Sequence, residues 1–289
     1  MKIRGYAKLT AVFVVDFLSA YAFAGLTASV IIMSLITVYV LFGEYVDLWR
    51  DRAVRIDHLD SATCSRLYSI QQSIGEDVRN TTGADIAGMQ LYVVPSSVPN
   101  AFTYGFRSIA FSRFLLDNCD DATLCAILGH EVSHMLYLDA VFNRALFATV
   151  TVFVLILMIA SFISTSFLWI IFIVLCLFNI CGGIVSILLF KGAGKVIEGF
   201  YTFMQYCLLF LYRTILGVIS RQSEYRADQF SCILGYGPQL QYFLNRFEDL
   251  HQEPAHLHEI LYATHPPTYS RIQRIEQQKN PSPNGFRGL

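Results

Sequence analysis

The sequence is short of charge. Only 15% of its 289 residues are Asp, Glu, Lys or Arg, and 54% are hydrophobic. Soluble proteins carry about 25% charged residues, so the composition argues against a wholly soluble chain and predicts that many side chains face lipid. A net charge of -1 gives no general attraction to nucleic acid, and no nucleic-acid-binding motif is present. We therefore expect a lipid bilayer, and no nucleic acid, among the partners.

A disulfide framework is also missing from the pattern of cysteines. The seven cysteines form no C-x-x-C pair, and their number is odd. Three of them lie in strongly apolar runs, namely Cys176, Cys181 and Cys207. This pattern predicts reduced, buried thiols and favours a cytosolic location for the globular part.

Two long apolar runs dominate the chain. Residues 9–43 contain one charge, Asp16, and residues 145–190 contain neither a charge nor a histidine. One membrane-spanning helix needs about 20 apolar residues. The second run therefore predicts two spans that turn near residues 161–166, and the first predicts a short hairpin that turns at Gly25.

A cleavable signal peptide is the alternative for the N-terminus. Basic residues precede the first apolar run, and residues 20–24 (AYAFA) resemble a cleavage site. Asp16 in the middle of the run counts against this interpretation. With cleavage, the remaining span at about 27–43 still leaves residue 44 onward in the cytosol.

Basic residues flank both predicted hairpins and are absent from their turns. They are Lys2, Arg4, Lys8, Arg50, Arg52, Arg55, Arg144, Lys191 and Lys195. Because basic flanks mark the cytosolic side, we expect a multi-pass membrane protein with its polar parts in the cytosol. The predicted layout is an N-terminal hairpin (1–43), a first cytosolic part (44–143), a second hairpin (144–191) and a second cytosolic part (192–289).

Residues 130–134 (HEVSH) are the most informative motif. On a helix, His130 and His134 share a face and can hold one metal ion, for which Zn²⁺ is the natural candidate. Glu131 at the edge of that face can take a proton from the attacking water and later pass it to the leaving amine. With seven histidines and nine glutamates in 289 residues, chance yields only about 0.005 such matches. Two solvated surface histidines are the alternative, but the neighbouring residues are apolar.

A third metal ligand must come from elsewhere in the chain. No histidine follows His134 at short distance, so the long-spacer metzincin pattern is absent. Glu224 and Asp228 share a helical face in residues 220–228 (SRQSEYRAD). Glu224 can bind zinc while Asp228 orients a ligand histidine; ordinary solvated helix charges are the alternative.

The metal site constrains a third apolar run at residues 199–219. Glu224 must lie on the same side of the membrane as His130 and His134, so the chain between them crosses an even number of times. The second hairpin already supplies two crossings. We therefore predict that 199–219 is a helix resting on the membrane surface or packed in the protein.

Four segments together resemble the HtpX family of membrane zinc endopeptidases. They are 99–105 (PNAFTYG), 130–134 (HEVSH), 220–228 (SRQSEYRAD) and 264–272 (THPPTYSRI). The resemblance covers nearly the whole chain and implies a gluzincin-like fold in a bacterial inner membrane. The fold class expected is α+β and mainly α, with four transmembrane helices in two hairpins and a cytosolic protease domain with a small β-sheet.

The same resemblance implies roles for single residues. It implies zinc, one ion per chain, bound by His130, His134 and Glu224, with Glu131 as general base and acid. It implies hydrolysis of unfolded or membrane polypeptides in protein quality control. It places His265 near the active site, where it can stabilise the oxyanion, although residues 265–267 (HPP) can equally shape a helix start. Arg271 is expected to be a structural ion-pair residue.

The segment Asn100, Ala101 and Phe102 suggests how substrate binds. As an edge strand beside the zinc helix, it can pair with an extended peptide through backbone hydrogen bonds. Such pairing is largely independent of side chains and suits a protease of broad specificity.

Two other functions compete with this one. A processing protease related to the CAAX prenyl endopeptidases shares the motifs, but those relatives are longer and have more spans. A non-enzymatic membrane protein with a structural metal site is the other alternative. Glu131 argues against the latter, because a closed structural site has no use for a base beside the metal.

Overall fold

The structure is a computed structural model that describes residues 2–178, 183–247 and 266–279. The chain forms two compact units. Unit 1 comprises Met1–Ala145 and Leu216–Leu289, and unit 2 comprises Leu146–Ile215. The architecture is mostly helical with one small mixed sheet, which confirms this part of the predicted fold class.

Helix α1 (Lys2–Arg50) opens unit 1 and reverses direction at Gly25, where φ is 74° and ψ is 178°. The positive φ suits a glycine. Both ends of α1 contact residues 137–144. Gly5 packs so closely on the carbonyl of Tyr137 that a Cβ atom would lie 2.6 Å from its oxygen, and Gly43 packs against the Arg144 side chain. The predicted turn at Gly25 is thus confirmed.

A four-stranded sheet follows, built from β1 (Val54–Arg55), β2 (Gln90–Val94), β3 (Ala101–Thr103) and β4 (Ser108–Ser112). The strand order is β1-β2-β4-β3, with β2 parallel to β4 and the other pairs antiparallel. The apolar, β-branched and aromatic residues of 89–94 and 108–114 predict strands, and β2 and β4 confirm both in all but their end residues. Strand β3 lies at one edge of the sheet.

Three helices of unit 1 pack around this sheet: α2 (Ser61–Thr82), α3 (Arg113–Asn118) and α4 (Asp121–Tyr137). Side chains of Asp60 and Asp120 cap α2 and α4 by accepting hydrogen bonds from backbone N–H groups three residues later. Helix α4 is buried along nearly its whole length because α2, the sheet and the C-terminal helix α7 (Gly237–Phe247) all contact it. The core thereby fixes the orientation of the helix that carries the HEVSH motif.

Two long helices, α5 (Asp139–Leu177) and α6 (Ile184–Ile233), connect the two parts of unit 1 through unit 2. The predicted turn near residues 161–166 is wrong, because α5 continues through them without a break. Hydroxyl side chains in an apolar helix can satisfy themselves without ending it, and Ser164 lies 3.2 Å from the hydroxyl of Tyr201. Helix α5 ends at Leu177 instead, and α6 begins at Ile184.

Residues 199–219 were predicted either to rest on the membrane surface, which stays a prediction, or to pack in the protein, which is wrong. They form no separate helix but the middle of α6, and their large apolar side chains are mostly exposed, as for Phe203 (61%) and Tyr206 (69%). A single helix of 50 residues spans about 75 Å, which is ample for both a membrane crossing and a protein-packed end.

Three helices in the described ranges are long and apolar enough to cross a membrane: Gly25–Arg50, Asp139–Leu177 and Ile184–Ile233. One crossing by α5 and one by the part of α6 before Glu224 would keep His134 and Glu224 on the same side of the membrane. A fourth span, in the first arm of α1, stays a prediction.

The C-terminal part of unit 1 contains α7 (Gly237–Phe247) and α8 (Thr268–Lys279). They pack on α4 through an apolar cluster of Ala126, Leu240, Leu244 and Ile275. This packing brings α8, with Arg271, against the helix that carries the two histidines.

The six cysteines in the described ranges are free thiols, and burial raises the pKa of Cys119 and of Cys125 to about 11.

Candidate metal centre

Helices α4 and α6 bring together the three side chains predicted to bind zinc. The Nε2 atoms of His130 and His134 lie 3.2 Å apart. Oε2 of Glu224 lies 3.5 Å from Nε2 of His130, and Oε1 lies 3.6 Å from Nε2 of His134. All three ligand atoms therefore face one point, although Glu224 lies 90 residues beyond His134 in the sequence.

The spacing of these atoms fits a metal ion. A tetrahedral zinc site with bonds of about 2.0–2.1 Å places its ligand atoms about 3.3 Å apart, close to the separations of 3.2, 3.5 and 3.6 Å found here. Among the residues that the structure describes, no fourth His, Cys, Asp or Glu joins this group. Three protein ligands and one free position are typical of catalytic rather than structural zinc sites.

The electrostatics of the site also favour a cation. Burial lowers the pKa of His130, but the carboxylates of Asp228 and Glu224 outweigh this effect and raise the pKa to about 10. Two buried carboxylates therefore hold a positive charge on the imidazole. A divalent cation between the three ligands supplies that positive charge in its place.

A carboxylate stands behind each histidine. Oδ1 of Asp228 lies 2.9 Å from Nδ1 of His130, as predicted, and Oδ2 of Asp139 lies 3.0 Å from Nδ1 of His134. Such partners fix the orientation of an imidazole whose other nitrogen binds a metal. Asp139 was not predicted. It begins α5 directly after Leu138, whose left-handed conformation (φ 59°) turns the chain back toward His134.

An arginine in turn pairs with each carboxylate. Arg271 of α8 donates two hydrogen bonds to Asp228, at 2.8 and 2.7 Å, and lies 3.6 Å from Glu224. Arg226 pairs with Asp139 and stacks 4.0 Å over the ring of Tyr137. Both arginines supply the counter-charge that a buried carboxylate requires. The expected ion-pair role of Arg271 agrees with these contacts.

Glu131 lies beside the three ligands without joining them. Its side chain is buried, and Oε2 accepts a hydrogen bond of 2.7 Å from Oγ1 of Thr103. Thr103 was not predicted, although it directly follows the segment proposed for substrate binding. The sequence offered one signal for Thr103: it continues the segment expected to form an edge strand beside the helix that carries Glu131.

The segment Asn100, Ala101 and Phe102 does lie at the sheet edge next to α4. The backbone carbonyl of Asn100 pairs with Ser112 at 2.9 Å, and the Phe102 ring lies against Tyr104 in a separate apolar cluster. The side chain of Phe102 thus packs in this cluster, and the alternation along β3 directs its backbone N–H and C=O groups toward β4. His265 lies outside the described residues.

This arrangement of a buried HEVSH helix, a distal glutamate and long apolar helices defines a membrane metallopeptidase. Its family is established by sequence: the profile of Peptidase family M48 matches residues 68–279, and the chain belongs to that family.

Several relatives support the assignment. The "Probable CAAX prenyl protease 1" of Schizosaccharomyces pombe is 26% identical over 94% of this chain. A "Protease HtpX homolog" of a Sulfurovum species is 25% identical over 76% of this chain and 78% of its own length, and one of Bordetella pertussis is 28% identical over 63% of this chain and 62% of its own length. The chain spans 59% of the length of the S. pombe relative.

One solved structure shares the fold. The crystal structure of S. mikatae Ste24p aligns with 94% of this chain and 63% of its own, with a TM-score of 0.55 and 17% sequence identity. At this identity the likeness establishes the fold alone.

Proposed function

We propose that the chain is a zinc-dependent endopeptidase that hydrolyses peptide bonds of misfolded or damaged membrane proteins at the cytosolic face of the membrane. The observation that carries the proposal is the convergence of His130, His134 and Glu224 on one point, with Glu131 beside them. Two imidazoles and a carboxylate form a donor set that suits zinc.

The proposed mechanism assigns a task to each side chain. His130, His134 and Glu224 hold the ion, which when bound polarises the scissile carbonyl and makes water nucleophilic near neutral pH. Glu131 accepts the proton of the attacking water and returns it to the leaving nitrogen. Asp228 and Asp139 keep the two imidazoles in position. His265 remains a candidate for stabilising the oxyanion.

Two features support substrates that are unfolded and close to the membrane. The candidate membrane helix α5 begins at Asp139, only five residues after His134. Strand β3 offers an open sheet edge, which requires an extended backbone that folded domains do not present. Together these features favour quality control with loose sequence preference, and the resemblance to the HtpX family adds a bacterial inner membrane as the proposed location.

A dedicated processing protease is the second candidate. The similarity to a probable CAAX prenyl protease over 94% of this chain favours it. The two candidates differ in selectivity, because a processing enzyme cuts one kind of sequence whether or not the rest of the substrate is folded.

The decisive experiment combines metal analysis with proteolysis of an unfolded reporter by full-length protein in detergent. Wild type and Glu131→Gln should each hold one zinc per chain, but Glu131→Gln should be inactive, since an amide cannot accept the proton. Glu76→Gln on α2 is the matched control and should retain both zinc and activity. Normal cleavage by Glu131→Gln would contradict the mechanism.

A further inference from the structure

Thr103 contacts Glu131 through a side-chain hydroxyl that has no task in the proposed mechanism. Its Oγ1 lies 2.7 Å from Oε2 of Glu131 and 3.0 Å from the backbone carbonyl oxygen of the same residue. A hydroxyl has one proton to donate, and the carboxylate is both the nearer and the stronger acceptor. The hydroxyl of Thr103 thus holds one oxygen of Glu131 and leaves the other available.

The backbone of Thr103 lies at the open edge of the sheet. Ser112 donates to the carbonyl of Asn100 and Tyr104 donates to the carbonyl of Ser108, each at 2.9 Å. Because hydrogen-bonding direction alternates along an antiparallel strand, the N–H and C=O groups of Thr103 point away from β4. In the part of the chain that the structure describes, no further strand pairs with this edge.

The turn after Thr103 is held firmly by α1 and α5. The Tyr104 hydroxyl donates to Asp51 at 2.8 Å, and its carbonyl accepts a bond of 2.5 Å from Arg144. The N–H of Phe106 donates to Glu44 at 3.1 Å. Thr103 is therefore a fixed support for Glu131, whose own side chain otherwise has several rotatable bonds.

We propose that Thr103 is a positioning residue that orients the Glu131 carboxylate for proton transfer and couples it to the strand that binds substrate. Its backbone pairs with the extended peptide while its hydroxyl holds the base. A peptide that pairs with β3 is thus placed beside a Glu131 carboxylate whose orientation is already fixed. This inference rests on the proposed function.

The test compares Thr103→Val and Thr103→Ser in full-length protein with a quenched peptide substrate. Valine keeps the β-branched shape and the strand but removes the hydroxyl. We expect Thr103→Val to lower kcat by about tenfold or more, the usual effect of losing a hydrogen bond to a charged group. KM and zinc content should stay within about twofold of wild type, because the backbone edge and the metal ligands remain.

Thr103→Ser should restore most of kcat, and Thr82→Val on α2, which removes the hydroxyl of a residue outside the site, should change neither constant. Full kcat in Thr103→Val would overturn the inference, as would an equal loss in Thr103→Ser or a rise in KM at unchanged kcat. The melting temperature of each variant separates misfolding from lost positioning. If wild type binds zinc but cleaves no peptide, the proposed function itself is wrong. If wild type cleaves the peptide and Thr103→Val cleaves it equally well, only the role proposed for Thr103 is wrong.

Discussion

Oδ1 of Asp228 lies 2.9 Å from Nδ1 of His130. This contact connects α6 to α4 behind the proposed metal, and Asp139 makes the corresponding contact to His134 from the start of α5. Each histidine thus has a carboxylate from a different helix close to its Nδ1 atom. The site depends on packing between helices that are far apart in sequence.

Removing either carboxylate should weaken zinc binding. We expect Asp228→Asn and Asp139→Asn to lower zinc affinity by about 10- to 100-fold, because the imidazole loses its orienting acceptor. Competition with a chromophoric chelator at fixed pH measures this. Asp117→Asn, which removes an exposed pair with Arg113, is the control and should bind as wild type does. Unchanged affinity in both variants would show that the imidazoles need no such support.

Sequence patterns predicted the local features of the site well. The spacing of His130 and His134 placed them on one helix face, and the same periodicity identified Glu224 and Asp228. Gly25 was predicted as a turn from its local chemistry, and either Asp120 or Asp121 can cap a helix at their position, of which Asp120 is the cap observed. These features depend on residues within a few positions of each other.

Contacts between distant or adjoining elements were not predicted. Asp139 reaches His134 only because Leu138 adopts a left-handed conformation, and Thr103 reaches Glu131 only because β3 packs on α4. The misplaced turn at 161–166 has a similar cause: local Ser and Thr residues suggest a break, whereas α5 continues through them and Ser164 contacts Tyr201 of α6. Hydropathy alone predicts how many long apolar helices a chain contains better than it predicts the residues at which they end.

Arg144 should contribute to stability through buried contacts in unit 1. Its Nη2 donates to Asp47 at 2.8 Å and to the carbonyl of Tyr104. Arg144→Met leaves the buried carbonyl of Tyr104 without this donor and leaves Asp47 with only its pair to Arg50, so we expect a loss of about 1–3 kcal/mol in the free energy of unfolding. Thermal unfolding in detergent measures the effect. Arg79→Met, at an exposed pair with Asp85, is the control and should cost little; equal losses in both variants would contradict the importance of the Arg144 contacts.

Backbone pairing at the β3 edge predicts a two-residue pattern in the substrate. A peptide strand donates to such an edge from every second N–H group. Methylation of those nitrogens should raise KM about tenfold each, the approximate effect of one lost hydrogen bond, whereas methylation of the intervening nitrogens should have little effect. A systematic set of N-methylated peptides with one sequence gives the measurement. A uniform response at all positions would exclude strand pairing as the mode of binding.

The basic flanks and the even number of crossings predict that the part of unit 1 that carries the metal ligands faces the cytosol. In a variant without reactive native thiols, a cysteine at Gly183, beside the reversal between α5 and α6, should react with an impermeant maleimide in intact cells. A cysteine at Asp85, an exposed residue of unit 1, should react only after the membrane is opened. Labelling of Asp85→Cys from outside would reverse the proposed orientation.

The choice between quality control and processing depends on the state of the substrate. An open strand edge beside the base requires an extended backbone, and α5 begins only five residues after His134. We therefore expect reconstituted enzyme to cut a membrane protein with a disordered cytosolic loop fastest, the unfolded form of a soluble protein more slowly, and its folded form hardly at all. Glu131→Gln provides the baseline for contaminating proteases.

Tethering raises the effective substrate concentration at the membrane, so the same loop released as a soluble peptide should be cut more slowly but at the same bonds. Equal cutting of folded and unfolded forms, or cleavage at one sequence only, favours the processing enzyme, because recognition then resides in particular side chains rather than in an exposed backbone.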